Sequence, residues 1–426
     1  MVELIIKMND LKQNIKGARD FYPKDLALRN WLFAKWRGVA RNFGYEEIDG
    51  PNIESFDLFS AKSGEELVNQ QMYTLEDRDG NKLGIRPEIT PTYARMVAKK
   101  QGELVFPLKW MMFGEVWRYE KPQTGRSRDF WQWELNLVGG DETLTDAEVL
   151  VIAAKSLEAI GVTSDDVVFR INDRRFMQQK LGSFGITNDQ FDVVRKIIDK
   201  KEKVSDEDFV ELLIKANLDT NQVQKLKSFL DNPDYNEFEP LKKLFSILES
   251  YGVSDFVKYD PIIVRGITYY TGMVFECFDK KKELRSIFGG GRFDDLVETF
   301  GGGKVPAVGF AMGDVVITEL LKRLNKLPVL ESSPTKVLVT IFSEELLSES
   351  IKTLKVLREN NINTELYPDQ KAKLEKQLKY ADKKGIPYII IIGQEEVDKN
   401  VVTLKNLLTK EQRQATINEV CTLLQE

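Results

Sequence analysis

Residues 113–140, FGEVWRYEKPQTGRSRDFWQWELNLVGG, consist of two β-rich segments joined by a polar and basic loop. The pattern predicts an antiparallel hairpin with strands over 105–119 and 130–138. Because successive side chains of a strand point to opposite faces, the alternation of polar and apolar residues gathers five polar side chains on one face. They are Arg118, Glu120, Gln132, Glu134 and Asn136.

The polar face of this hairpin has two interpretations. As a functional site, the planar fork of Arg118 would clamp a phosphate, and Lys121, Arg126 and Arg128 on the loop would meet a polyanion. As ordinary structure, it would be a solvated hairpin with a charged tip. A fully solvated face would not need tryptophans at positions 117, 131 and 133, which argues against the second interpretation.

The chain has 426 residues and no histidine, which excludes histidine-containing triads, histidine general bases and histidine metal sites. Two cysteines, Cys277 and Cys421, are too few and too far apart for a zinc site or a disulfide framework, so we expect free thiols. The formal net charge of −6 leaves any nucleic-acid contact to local basic patches. No apolar stretch approaches the roughly 20 residues of a membrane helix, and we expect a cytoplasmic protein.

The segments around the hairpin have clear local signals. Apolar residues at helical spacing predict helices over 24–43 and 141–160, and Thr145 is the expected N-cap of the second. An Asp-Gly turn at Gly80 predicts another hairpin, with strands over 72–76 and 82–85.

Later segments differ in texture. Residues 174–250 predict an inserted helical module, and 257–313 return to a glycine-rich β pattern. A Pro/Ser linker over 327–334 marks a domain boundary. Beyond it we predict a small α/β domain, with strands over 336–342, 363–367 and 387–393 and helices over 345–360, 371–384 and 411–425.

Three further motifs have open interpretations when each is taken alone. In IRPEITPTYARM (85–96), Glu88 would bind a ligand ammonium or would simply complement a helix dipole. In VRGITYYTG (264–272), Tyr269 and Tyr270 would line a pocket or pack in a core. In FGGGRFDDL (288–296), three glycines allow backbone to approach a ligand closely.

Taken in order, these motifs resemble the histidyl-tRNA synthetase family of class II aminoacyl-tRNA synthetases. KGARDFYP (16–23) is similar to the family's N-terminal signature, and residues 44–66 resemble its dimer-forming motif 1. RPEIT resembles the amino-acid-binding loop, and WRYEKPQTGRSRDFWQ resembles motif 2. VRGITYYTG and FGGGRFDDL match the two histidine-specific motifs, and PAVGFAMG (306–313) resembles the start of motif 3.

The resemblance implies an α+β catalytic domain over 1–330 with a mixed, mainly antiparallel sheet and a helical insertion at about 174–250. It also implies an α/β anticodon-binding domain over 334–426. The implied activity is a histidine–tRNA ligase, which activates histidine with ATP and transfers it to the 3′ end of tRNA(His). A homodimer, Mg²⁺ associated with ATP, and no metal site of the protein's own complete this expectation.

The resemblance also assigns roles to residues. Arg118 and Arg265 would be catalytic and would stabilise charge at the α-phosphate. ATP would further contact Glu120 and Phe130, and the motif 2 loop would approach the acceptor end of the tRNA through Gln123 and Arg126. The histidine substrate would be held by Glu88, Thr90, Gln132, Asn136, Arg265, Tyr269 and Tyr270.

Three positions depart from the family pattern. Val316 stands where motif 3 usually has an arginine that meets ATP, and Thr268 stands where an aspartate is common. Asn136 stands where an acidic residue usually recognises the imidazole. The departures leave two alternatives open: a non-catalytic paralogue, such as a regulatory subunit of histidine biosynthesis or a tRNA sensor, and a ligase for another amino acid or acceptor.

Overall fold

The computed structural model describes residues 12–61, 64, 67–121, 125–264, 269–330 and 333–425. Two compact units divide these residues. The first contains residues 12–20 and Arg29–Leu327, and the second contains Phe21–Leu28 and the residues from Pro328 onward.

The first unit contains eleven strands in its described part: β1 (Glu46–Glu47), β2 (Ile53–Ser55), β3 (Thr74–Glu76), β4 (Lys82–Ile85), β5 (Leu108–Trp117), β6 (Asp129–Val138), β7 (Val167–Asp173), β8 (Val257–Tyr259), β9 (Met273–Asp279), β10 (Phe288–Arg292) and β11 (Ala307–Gly313). The helices up to Leu327 are α1 (Pro23–Asn42), α2 (Phe56–Ser60), α3 (Thr90–Lys100), α4 (Glu142–Glu158), α5 (Arg174–Ser183), α6 (Asn188–Ile198), α7 (Asp206–Lys215), α8 (Thr220–Asp231), α9 (Glu239–Ser250), α10 (Leu296–Thr299) and α11 (Asp314–Arg323).

Eight of the described strands form one mixed sheet in the order β1-β5-β6-β11-β10-β9-β7-β8. The outer pairs β1–β5 and β7–β8 are parallel, and all pairings between them are antiparallel. A separate antiparallel sheet contains β2, β4 and β3. The predicted mixed, mainly antiparallel sheet is therefore confirmed, including the hairpin of β5 and β6.

One local prediction about α4 is wrong. Asp141, rather than Thr145, is the N-cap, and its carboxylate accepts the Leu144 N–H at 3.0 Å. Thr145 lies inside the first turn, where its hydroxyl donates to the Glu142 carbonyl oxygen at 3.0 Å. Both residue types suit an N-cap, and here the aspartate comes first along the chain.

Apolar side chains of β6 pack beneath α1 and α4. Trp133 stacks on Trp36 of α1 with ring centroids 5.3 Å apart, and both side chains are fully buried. Leu135 and Leu137 belong to the same core, together with Ile152 of α4. Since these odd-numbered residues point toward the helices, the even-numbered residues of β6 face the opposite side of the sheet.

Arg292 at the end of β10 joins the sheet to α4. Its guanidinium is 1% exposed and donates to Asp146 at 2.7 Å and to Asp294 at 3.0 Å. Further donation goes to the Thr145 hydroxyl at 2.8 Å and to the Glu142 carbonyl oxygen at 2.9 Å. We call this set the arginine network; each of the three guanidinium nitrogens of Arg292 donates to a protein group.

Residues 174–250 are helical, as predicted, and contain α5 to α9 with short loops. Part of this region has its own apolar cluster, which includes Met177, Leu181, Phe209, Leu213 and Leu226. The small core explains the sequence texture, because each helix buries one narrow stripe and leaves the remaining charged residues in solvent.

The second unit is an α/β domain. Its described strands are β12 (Val337–Val339), β13 (Thr364–Leu366), β14 (Tyr388–Ile391), β15 (Val402–Asn406) and β16 (Gln412–Ala415), in the sheet order β13-β12-β14-β15-β16. Its helices after Pro328 are α12 (Leu347–Glu359), α13 (Leu374–Lys384), α14 (Gln394–Asp398) and α15 (Ile417–Gln425).

The C-terminal prediction is partly wrong. The last helix begins at Ile417 rather than at 411, and residues Gln412–Ala415 form an edge strand that pairs with β15. We did not predict β15, β16 or α14. The polar edge strand Gln-Arg-Gln-Ala has exposed side chains, so it lacks the hydrophobic alternation that identifies a half-buried strand.

Both cysteines, Cys277 and Cys421, are buried with free thiols. Within the described ranges, no helix is long and apolar enough to cross a bilayer.

Candidate active site

Three polar side chains of β6 lie on the face of the sheet away from α1 and α4. Gln132, Glu134 and Asn136 are 8%, 2% and 2% exposed, so the hairpin face is buried rather than solvated. Burial of polar groups costs free energy unless they are hydrogen-bonded or used by a ligand. The solvated interpretation of this face is therefore wrong.

A cavity of about 270 Å³ opens beside these residues. Its lining includes most of the side chains that the motifs predict to bind histidine or to be catalytic: Glu88, Thr90, Arg118, Gln132, Asn136, Tyr269 and Tyr270. Segments more than 180 residues apart in sequence thus meet at one place. Lining residues to which the motifs gave no role include Glu134, Glu276, Arg285, Ser286 and Phe288.

Gly289 of β10 and Gly309 of β11 line the cavity, and the glycines of these strands pack closely. A Cβ at Gly290 would lie 2.1 Å from the Gly309 carbonyl oxygen, and a Cβ at Gly309 would lie 1.9 Å from Asn136 Oδ1. No side chain fits at such distances. The glycines in FGGGRFDDL and PAVGFAMG therefore let the two strands and the Asn136 amide pack closely.

Glu88 and Tyr269 form one end of the cavity lining. Glu88 precedes α3, and its Oε2 accepts the Tyr269 hydroxyl at 3.2 Å. Burial, together with the charge of Glu88, raises the pKa of Tyr269 well above its usual value, so the phenol stays protonated. The hydroxyl of Thr90, at the start of α3, is within hydrogen-bonding reach of both Tyr269 and Glu134.

Glu134 and Asn136 are directly bonded. Asn136 Nδ2 donates to Glu134 Oε1 at 2.8 Å. Burial raises the pKa of Glu134 to about 8, although the hydrogen bonds from Asn136 and Thr90 favour the charged form. Asn136 Oδ1 accepts no hydrogen bond from a described residue, so the amide presents an unused acceptor above Gly309.

Arg118 directly follows β5 and lines the cavity. Its Nε donates to the Pro87 carbonyl oxygen at 2.9 Å, and its guanidinium carbon lies 5.3 Å from the centre of the Phe130 ring. The two Nη groups donate to no described residue. Arg118 is therefore anchored on one edge and has its other edge available for an anion.

Three predicted contacts lie near the cavity without lining it: Glu120, Arg126 and Phe130. Arg126 pairs with Glu120 at 3.2 Å, which joins the two ends of the motif 2 loop. Burial, and the nearby charges of Arg126 and Arg118, lower the pKa of Arg285, whereas Glu120 opposes this effect. Arg118, Arg126 and Arg285 are thus close enough to influence one another, and the Glu120 carboxylate lies among them.

Val316, at the position of the usual motif 3 arginine, is 3% exposed and belongs to the apolar core with Ile317 and Leu320. This helix contributes a different contact. The Asp314 carboxylate accepts a hydrogen bond from the Arg19 guanidinium at 3.0 Å and another from the Trp131 backbone N–H at 2.9 Å. The N-terminal signature is thereby tied to α11 and to β6.

Gln123, Arg265 and Thr268 lie outside the described residues. Their assigned roles stay predictions.

Glu134 and Arg285 line the cavity but received no role from the motifs, and the sequence indicates them to different degrees. Glu134 was visible in the polar alternation of β6, but nothing distinguished it from a spacer between Gln132 and Asn136. Arg285 stands in a charged segment, KKKELRS, that is typical of a solvated loop. Only the pairing of β9 with β10 brings that loop to the cavity.

Comparison with known proteins gives two family matches. The family described as histidyl-tRNA synthetase matches residues 17–314, and the one described as anticodon binding domain matches residues 336–426.

Full-length relatives and a solved structure are similar to the chain. The histidine–tRNA ligase of Leptospira biflexa serovar Patoc is 37% identical over 427 residues, with 97% of each chain covered. The chloroplastic/mitochondrial histidine–tRNA ligase of Arabidopsis thaliana is 36% identical over 95% of this chain and 85% of that protein. The crystal structure of histidyl-tRNA synthetase from Nostoc sp. PCC 7120 has a TM-score of 0.82 and 27% identity, covering 97% of this chain and 99% of that one.

Proposed function

The chain belongs to the histidyl-tRNA synthetase family, and we infer that it is a histidine–tRNA ligase. This conclusion rests on the similarity to relatives named histidine–tRNA ligase, which are 36–37% identical over 95% or more of this chain. The substrates are histidine, ATP and tRNA. The histidine carboxylate attacks the α-phosphate of ATP and displaces pyrophosphate. A terminal ribose hydroxyl of the tRNA then takes the acyl group and releases AMP.

We propose that the substrate ammonium binds between Glu88 and Gln132. The Glu88 carboxylate supplies the countercharge at the cavity wall. Gln132 Oε1 is buried and accepts no hydrogen bond from a described residue, so it is an acceptor that waits for a donor. Thr90 adds a hydroxyl at the same wall, and Tyr269 and Tyr270 enclose the side chain.

Arg118 is the proposed α-phosphate ligand among the described residues. The hydrogen bond from Nε to Pro87 holds the guanidinium in place, and its open Nη edge would stabilise the negative charge that grows on the phosphate oxygens during attack. Arg265 is the proposed second arginine. Such chemistry needs positioning and charge stabilisation, so the absence of histidine from the chain does not impair it.

Mg²⁺ is proposed to arrive with ATP. The ion commonly binds through one or two carboxylates together with substrate phosphates and water. Glu276 lines the cavity and would supply a carboxylate oxygen of this kind. When bound, the ion would neutralise phosphate charge.

The tRNA is proposed to meet both units. On the motif 2 loop of the first unit, Gln123 and Arg126 would approach the acceptor end of the tRNA. Next to this loop, Glu120 would help hold ATP, and the adenine would stack on Phe130. The second unit would bind the anticodon stem, in line with its family match. In α13, Lys376 pairs with Asp369 at 3.3 Å and Lys379 with Glu375 at 2.8 Å, so this helix offers less free positive charge than its lysine count implies.

We further propose a homodimer formed through residues 44–66 and a cytoplasmic location. Light scattering would give twice the chain mass of 49.0 kDa for the dimer, and the single-chain mass would contradict it. Two free, buried thiols are compatible with a reducing compartment.

ATP–pyrophosphate exchange with each of the twenty amino acids tests the function. Exchange with histidine alone, followed by charging of tRNA(His), is the expected result. Exchange with another amino acid would refute the specificity. No exchange with any of them would refute the ligase and favour the non-catalytic paralogue.

A further inference from the structure

Asn136 raises a specificity problem that the family motifs do not answer. A neutral amide has one acceptor atom and one donor group at nearly the same place, and it reads an imidazole N–H only if the oxygen faces the ring. A carboxylate has no such ambiguity, because both of its atoms accept. An amide at this position therefore needs a neighbour that fixes its orientation.

The structure contains that neighbour. Asn136 Nδ2 donates to Glu134 Oε1 at 2.8 Å, which sets the amide nitrogen toward residue 134 and the oxygen toward Gly309. Both side chains are 2% exposed, both line the cavity, and no described residue donates to Asn136 Oδ1. The reversed amide would place its oxygen against a carboxyl oxygen of Glu134.

On the basis of the proposed function, we propose that Glu134 is a positioning residue for histidine selection. It holds the Asn136 amide so that Oδ1 accepts the N–H of the substrate imidazole. The carboxyl group that normally stands at position 136 is thus replaced by two residues on the same strand face, one that orients and one that contacts the ring.

The charged form of Glu134 fixes the Asn136 amide most firmly, because both of its oxygens accept and neither donates. The pKa of about 8 keeps much of the carboxyl group protonated near neutral pH, and the neutral form still has one carbonyl oxygen to accept from Nδ2. The groups facing it are the Thr90 hydroxyl, the Asn136 amide, and the charges of Glu88 and Arg86.

The test uses three variants of the full chain in histidine-dependent ATP–pyrophosphate exchange. Glu134→Met removes the acceptor for the amide, and we expect the KM for histidine to rise about tenfold while the KM for ATP stays unchanged. Glu134→Gln retains an acceptor but adds a donor, so we expect a rise in the KM for histidine smaller than that of Glu134→Met. Glu134→Met/Asn136→Asp should recover most of the loss, because a carboxylate at 136 needs no orientation.

The outcomes distinguish a failure of the proposed ligase function from a failure of the role of Glu134. An inactive parent would contradict the proposed function. An active parent with an unchanged KM for histidine in Glu134→Met, or a double variant no better than the single one, would overturn the role of Glu134. If Glu134→Met does not fold, Asn136→Ala provides the test: the KM for histidine rises if Oδ1 is the acceptor, and an unchanged value overturns the proposal.

A separate observation concerns the ATP side. Arg285 lines the cavity together with Arg118 but makes no hydrogen bond or ion pair with a described residue. Arg285 belongs to the loop between β9 and β10. The arginine that motif 3 usually provides to ATP is absent here, because the buried Val316 stands at its position. Two guanidinium groups on one cavity wall repel each other unless an anion lies between them.

We infer that Arg285 supplies the cation missing from motif 3 and binds the triphosphate of ATP. Arg285→Ala is expected to raise the KM for ATP about tenfold in the exchange reaction and to leave the KM for histidine unchanged. Arg285→Lys should recover part of the loss. Arg323→Ala is the control, because this arginine pairs with Glu319 and Glu283 on the outer side of α11. An unchanged KM for ATP would overturn the assignment, even if the KM for tRNA rose.

Discussion

Glu134 and Asp146 are buried carboxyl groups of the first unit with opposite surroundings. Asp146, on α4, is enclosed in the arginine network, where Arg292 donates to it at 2.7 Å. Glu134, on β6, accepts a hydrogen bond from the Asn136 amide at 2.8 Å and faces a cavity. Burial raises the pKa of both, to about 7 for Asp146 and to about 8 for Glu134.

The comparison shows that a shifted pKa alone does not identify a functional residue. In the arginine network every carboxylate is matched by a donor of the protein, so nothing remains for a ligand to do. Along the cavity, Gln132 Oε1, Asn136 Oδ1 and the Arg118 Nη groups lack partners among the described residues. Unused hydrogen-bonding groups beside open space distinguish a binding site from a structural one.

Replacement of the central cation should have the largest effect on the arginine network. Arg292→Met leaves Asp146 buried without a countercharge, so we expect a loss of about 3–5 kcal/mol in the free energy of unfolding. Urea denaturation followed by tryptophan fluorescence measures it. A variant as stable as the parent would remove the distinction between the two carboxyl groups.

Replacement of Arg118 in the cavity should impair catalysis and leave stability almost unchanged. Arg118→Ala is expected to lower the exchange rate by about 10²–10³-fold, because a fixed charge-stabilising donor is lost. Since one edge of Arg118 has no protein partner, its melting temperature should remain close to that of the parent. Strong destabilisation would instead assign Arg118 a structural role.

The pH dependence of stability offers a third comparison. A carboxyl group with a raised pKa binds its proton more tightly in the folded state, so stability falls as pH rises from the unfolded value through the folded one. For Glu134 the fall should extend through about pH 8. Glu134→Gln removes this pH-dependent contribution, and its advantage over the parent should grow by about 2–3 kcal/mol between pH 6 and pH 9. Thermal melts at both pH values measure the difference, and a constant gap would contradict it.

Substitutions of Thr145 in the arginine network and Thr90 at the cavity should have the smallest effects. Thr145→Val deletes one donor–acceptor group of the arginine network and should cost about 1 kcal/mol of stability without changing the KM for histidine. Thr90→Val should raise that KM about threefold with little change in stability. The same effect in both variants, measured by denaturation and exchange, would mean that the two regions are not energetically separate.

The sequence predicts the local part of this architecture well. Alternation along β6, the Asp-Gly turn at Gly80 and the helical stripes of 174–250 are each determined by neighbours in sequence. The residues that the family motifs assigned to substrate binding include seven that line the cavity: Glu88, Thr90, Arg118, Gln132, Asn136, Tyr269 and Tyr270. Arg265 and its neighbours in VRGITYYTG remain predictions, since they lie outside the described residues.

What the sequence did not predict depends on distant partners. Arg285 reaches the cavity only because β10 pairs with β9, and Glu134 faces a cavity only because the segments of Glu88 and Tyr269 meet beside β6. Edge strand β16 exists because β15 offers it hydrogen bonds, not because of its own polar residues. In each case the deciding energy is tertiary, and a window along the chain does not contain it.

The cavity has one experimental consequence. Its polar groups are amides, carboxyls, hydroxyls and guanidinium groups, and the whole chain lacks histidine. In a complex of untagged protein with its amino acid, every imidazole resonance in a magnetic resonance spectrum would come from the ligand. The tautomer of the bound ring, and the nitrogen that meets Asn136, would then be readable without isotope labelling of the protein.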